Sequence, residues 1–128
     1  MASENAAPQP VVHVIDDDEG LRESLAFLLR SAALEVRSFE SAKAFLDVLP
    51  HAIPGCIITD VRMPDMSGIE VAQTLRQDPA TSHIPIIMLT AKGQERDKEQ
   101  GRALGAYAYL VKPFSPLELL EKVQAILG

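Results

Sequence analysis

At 128 residues the chain suits one compact domain, and with 47% apolar residues it can bury a core without disulfides or a structural metal. A formal net charge of −6 argues against a nucleic-acid-binding surface, and a single cysteine, Cys56, excludes an internal disulfide. No apolar run approaches the roughly 18 residues of a membrane span, and the start MASENAAPQP lacks a signal-peptide core, so a cytoplasmic protein is expected.

Residues 1–10 read as a flexible tail, and a domain is expected over 11–128. VVHVI (11–15) is a β-branched run that reads as a strand, and Leu21, Leu25, Leu28 and Leu29 follow at helical spacing. LEVRSF (34–39) is the second strand; Ala42, Phe45, Leu46 and Leu49 mark the second helix, which Pro50 ends. CIIT (56–59) is the third strand, and Ser67 caps a third helix carried by Ile69, Ala72 and Leu75. After IPIIML (84–89), the stretch GQERDKEQGRALG (93–105) is a weak helix whose apolar anchors are Ala103 and Leu104, so it should be loosely held. AYAYLV (106–111) is the last strand, and Ser115-Pro116 opens a helix through Leu117, Leu120, Val123 and Leu127. Five βα units with apolar strands imply a parallel sheet covered on both faces.

In such a sheet the carboxyl ends of all strands share one edge, where ligands bind. The first strand runs into Asp16-Asp17-Asp18-Glu19, the third into Asp60, the fourth into Thr90-Ala91 and the fifth into Lys112-Pro113. Singly, each is an ordinary turn or cap residue. Together they bring carboxylates, a hydroxyl and an ammonium to one place. Clustered carboxylates bind Mg²⁺, and a carboxylate can attack phosphorus to give an aspartyl phosphate. Mg²⁺, Lys112 and Thr90 would stabilise the phosphoryl oxygens. No phosphate-cradling glycine loop is present, so the donor must carry its own recognition. Cys56 reads as a buried structural thiol, and His13 and His83 as structural or exposed rather than as ligands.

The segments VIDDDEGLR, TDVRMPDMSG, MLTAKG and YLVKPF, in this order, resemble the receiver domain of bacterial two-component response regulators. The likeness spans residues 11–127, and its first half is most similar to FixJ-type regulators. It implies a flavodoxin-like (CheY-like) (βα)5 three-layer sandwich with strand order 2-1-3-4-5. It also implies phosphoryl transfer to Asp60 from a histidine kinase or phosphotransfer protein. By the same resemblance, Mg²⁺ (with Mn²⁺ as a substitute) is held by Asp17 directly, by Asp16 largely through water, by Asp60 and by the backbone carbonyl of Arg62. Thr90 and Lys112 stabilise the phosphoryl group, Thr90 and Tyr109 form the switch, Pro64 and Gly68 shape the loop after Asp60, and Lys112-Pro113 is cis. The output or homodimer surface is expected on the fourth helix, fifth strand and fifth helix.

Arg62 and Lys92, each two residues beyond a site residue, are expected to overhang the entrance and tune the lifetime of the phosphate. On this reading the chain is a signalling protein that catalyses only its own phosphorylation and dephosphorylation, not an enzyme acting on others. The competing readings are an aspartate-nucleophile phosphatase or phosphotransferase for small molecules and a degenerate receiver that only binds. The first normally needs a general acid two residues after the nucleophile, where this chain has Arg62, which cannot donate and retrieve a proton at neutral pH. The intact Asp16, Asp17, Asp60, Thr90 and Lys112 set argues against the second. The chain stops just after the last helix, so it is either a single-domain regulator or a receiver cut from a longer protein.

Overall fold

The computed structural model describes residues 11–48, 54–91 and 95–128. Five strands alternate with five helices: β1 Val11–Ile15, α1 Glu19–Ser31, β2 Glu35–Phe39, α2 Ala42–Val48, β3 Pro54–Asp60, α3 Gly68–Gln77, β4 Ile86–Ala91, α4 Glu95–Ala103, β5 Ala108–Lys112 and α5 Pro116–Leu127. The strands pair in parallel in the order β2-β1-β3-β4-β5, the flavodoxin-like arrangement expected from the resemblance. Leu49 and Pro50, where the second helix was expected to end, and Lys92, expected to tune the phosphate lifetime, lie outside the described residues.

Strand alternation splits the core into two layers. Val12, Val14, Ile58 and Leu89 face α1 and α5, where Leu25, Leu29, Leu119 and Val123 close over them. Ile15, Ile57 and Met88 face the other way, against Phe45 of α2 and Val71 and Leu75 of α3. The interior strand β4 is buried from Ile86 to Thr90, whereas the edge strands β2 and β5 are only partly covered. Cys56 is buried in the first layer, and burial alone pushes its thiol up to about 12.

Local chemistry sets the helix ends. Asp18 caps α1 by accepting from the Leu21 amide, and Ser115 caps α5 ahead of Pro116. Ser67 and Glu70 form a reciprocal capping box on α3. Gly105, at φ +76°, ends α4, with the Gly105 and Ala106 amides bonding back to Arg102 and Gly101. At the end of α1 the same left-handed position falls on Ala33, at φ +65°.

Two helix faces differ from the sequence pattern. Leu117 is 64% exposed, and α5 packs through Leu119 and Val123; the Lys112-Pro113 bond before it is cis, as the resemblance implies. In α4, Ala103 is exposed, and the buried contact is Gly101, with Leu104 half-buried just beyond the helix. Glycine offers no apolar surface to a periodicity count, so its role is invisible until the helix is docked.

Candidate functional site

At the carboxyl edge of the sheet, the register sets Ile15 beside Thr59, Asp60 beside Leu89 and Ala91 beside Lys112. Four chain segments distant in sequence thereby meet. Carboxylate oxygens of Asp16, Asp17 and Asp60 all lie within 4.8 Å of one another, with Asp16 and Asp60 buried and Asp17 exposed.

Asp16 is held on every side. Its Oδ1 accepts from the Asp18 amide at 2.9 Å and its Oδ2 from Lys112 Nζ at 3.0 Å, while its carbonyl oxygen accepts from Arg22 at 2.7 Å. Asp60 is held less firmly. Lys112 Nζ reaches its Oδ2 at 3.2 Å, and the Arg62 amide approaches its Oδ1 at a long 3.4 Å. Burial, and then the neighbouring Asp16 charge, push the Asp60 carboxyl above its ordinary value, and Lys112 works against both. Burial also works against the Lys112 cation. The hydrogen bond to Asp16 and the charges of Asp60 and Asp16 override that cost, so the ammonium holds its proton more firmly than usual.

The loop behind Asp60 closes through Gly68, whose amide donates to the Val61 carbonyl at 2.8 Å. A Cβ at Gly68 would stand 2.6 Å from the Asp60 carbonyl oxygen, so only glycine lets α3 start this close to the end of β3. Thr90 and Tyr109 share one property: each has a buried hydroxyl with no hydrogen-bond partner. Buried hydroxyls normally find partners, and those that do not are concentrated where function requires it.

The arrangement thus unites Asp16, Asp17, Asp60 and Lys112, with two unpartnered hydroxyls on the adjoining strands. Sequence reasoning missed two supports. Arg22 anchors the Asp16 backbone from one turn into α1, and Lys112 bridges Asp16 and Asp60. The first has no signal beyond an arginine in an exposed helical turn. The second follows only from the spacing of strand ends. His13 lies elsewhere: it is fully buried between the rings of Phe39 and Phe45, with centroids 5.5 and 5.4 Å away. His83 is exposed.

Residues 12–124 match the response regulator receiver domain. The chain belongs to that family. The receiver is 45% identical over 117 residues to the transcriptional regulatory protein FixJ of Azorhizobium caulinodans, covering 91% of this chain and 54% of that protein. It is 42% identical over 114 residues to the phosphate regulon transcriptional regulatory protein PhoB of Pseudomonas aeruginosa, covering 89% and 50%. The chain thus spans about half the length of these curated relatives. Among solved structures, the chemotaxis response regulator CheY4 of Vibrio cholerae superposes with a TM-score of 0.85 at 33% identity, covering 94% of this chain and all of that one. The protein is a receiver domain of the two-component type, and among the described residues no helix is long and apolar enough to cross a membrane.

Proposed function

We propose that the receiver accepts a phosphoryl group on Asp60 from a histidine kinase or phosphotransfer protein, and that this biases the surface formed by α4, β5 and α5. The observation that carries the reading is the part-buried Asp16–Lys112–Asp60 bridge with Asp17 beside it. The three carboxylates suit a hard divalent cation. Asp17 and Asp60 would hold Mg²⁺ or Mn²⁺, with Asp16 behind them and the Arg62 carbonyl as a further donor. When bound, the ion supplies positive charge to the phosphoryl oxygens and offsets the crowding of acids.

The chain's own groups do the rest. Asp16, fixed by the Asp18 amide, Arg22 and Lys112 itself, holds Lys112 in place. Asp60, with the weaker contacts, is the carboxylate free to act as nucleophile. An Asp60 oxygen forms the bond to phosphorus as the bond to the donor's imidazole nitrogen breaks. The nitrogen leaves with the electron pair and takes up a proton. Lys112 then transfers its attraction from the Asp60 carboxylate to the new phosphoryl oxygens. The unpartnered Thr90 hydroxyl gains an acceptor there, and Tyr109 follows it.

An apolar groove of about 450 Å³, lined by Leu21, Leu25, Leu28 and Phe114 and rimmed by Asp18 and Lys112, opens beside the site and supports a protein donor. Since the matched relatives are named transcriptional regulatory proteins, the output we assign is control of transcription through a partner or output domain. On this reading the protein acts on no substrate but itself.

Acetyl phosphate with Mg²⁺ tests the acceptor. Intact mass should show one added phosphoryl group in the natural protein and none in Asp60→Asn. Labelling that survives in Asp60→Asn, or its absence from the natural protein, would overturn the assignment.

A further inference from the structure

Helix α4 meets the sheet through a residue with no side chain. Gly101 is buried, and a Cβ placed on it would stand 2.7 Å from Met88 Sδ, 2.7 Å from the Tyr109 hydroxyl oxygen and 2.9 Å from Tyr109 Cε1. All three distances are well inside van der Waals contact. Met88 and Tyr109 are register neighbours on β4 and β5, so the two side chains and the helix backbone converge on one point. The Tyr109 hydroxyl is buried there without a partner. The apolar residues near its end add little cover: Ala103 is exposed and Leu104 half-buried.

We infer that Gly101 is the positioning residue for Tyr109: its missing side chain is the niche that lets the tyrosine ring lie inward while α4 keeps its seat on the sheet. The ring and the helix are thereby coupled by sterics. With glycine at 101 both fit, and any side chain there forces the ring outward or lifts the helix. Met88, an adaptable thioether, can yield; the rigid phenol ring cannot yield except by rotating away. The consequence for signalling rests on the reading of Tyr109 as the switch, whereas the niche itself does not.

The test exploits a sequence with two tyrosines and no tryptophan. In a Tyr107→Phe background, fluorescence reports Tyr109 alone. Gly101→Ala should raise acrylamide quenching of Tyr109 by about twofold or more, as expected when a half-buried ring becomes accessible. Unchanged quenching in a folded Gly101→Ala protein would overturn the niche.

Thermal stability gives a second arm. Alanine is a better helix former than glycine, so Gly101→Ala should raise the melting temperature when Tyr109 is also replaced by alanine and lower it when Tyr109 is present. That reversal of sign is the signature of the steric pair. If Gly101→Ala alone fails to fold and the Tyr109→Ala double variant folds, the niche is equally supported; failure of both overturns it.

A third arm separates this inference from the acceptor assignment. With acetyl phosphate and Mg²⁺, the phosphorylation-driven change in Tyr109 fluorescence should be lost in Gly101→Ala while the mass of one phosphoryl group on Asp60 is retained. Loss of the mass label from both proteins would count against Asp60, not against Gly101.

Discussion

His13 offers a direct test of how burial governs this fold. Its ring is fully buried in β1, stacked on Phe39 and edge-on to Phe45, and neither nitrogen has a hydrogen-bond partner. Burial, and then the charge of Arg37 at the paired position on β2, lower its pKa from 6.5 to about 4. The folded protein therefore binds this proton less readily than the unfolded chain does. Stability from the neutral ring is present above pH 6.5 and is lost as pH falls toward 4. That interval, at about 1.36 kcal/mol per pH unit, amounts to about 3 kcal/mol in full, of which about 2 kcal/mol disappears between pH 7 and pH 5. For a urea m-value of about 2 kcal/mol/M, the midpoint should drop by about 1 M over that range.

His13→Leu keeps a similar volume and removes both orphaned nitrogens. It should match or exceed the natural protein at pH 7 by about 1 kcal/mol. More tellingly, its midpoint should lose about 1 M less than that of the natural protein between pH 7 and pH 5. Every other titrating group is common to both proteins, so the difference isolates His13. Midpoints that fall in parallel would refute the argument.

Two further perturbations test the site and the clasp around α4. Mg²⁺ at tenfold excess over its dissociation constant should stabilise the receiver by about 1.4 kcal/mol through binding the folded state alone, and Asp17→Asn should blunt the rise in melting temperature. An equal response in both proteins would remove Asp17 from the metal site. Arg76 of α3 donates to the carbonyls of Leu104, Ser82, Ile84 and Gly105 at 2.9 to 3.3 Å, fastening the end of α4 and the loop before β4. Arg76→Met should cost about 3 kcal/mol in urea unfolding, and Arg76→Lys should recover little, because an ammonium cannot spread over four acceptors. A loss under about 1 kcal/mol would show that the carbonyls are as well served by water.

Much of the architecture was legible because its signals are local. VVHVI and CIIT announce buried strands by composition, and Ser67 and Ser115 announce helix starts by capping chemistry. The end of α1 was harder to read, since its left-handed residue is Ala33 rather than a glycine. Leu117 misled for a different reason: helical spacing identifies a stripe, but which stripe is buried depends on how the helix docks on the sheet. Of the site, the acids, Thr90 and Lys112 could be gathered because a parallel sheet puts all strand ends on one edge. Arg22 could not, because a side chain that binds a backbone carbonyl leaves no pattern in sequence.

The sequence by itself thus determined the order of elements, the sheet edge that carries the chemistry and the residue types delivered to it, since these follow from periodicity, capping and strand direction. Only the tertiary structure decided the pairings. Lys112 bridges two acids contributed by other strands, Arg76 clasps two loops, and Tyr109 lies beneath a glycine of α4. Each depends on distances between segments far apart in the chain, set by how helices dock on the twisted sheet. Gly101 is the sharpest case, because its role is the absence of an atom, and an absence has meaning only once its neighbours are in place.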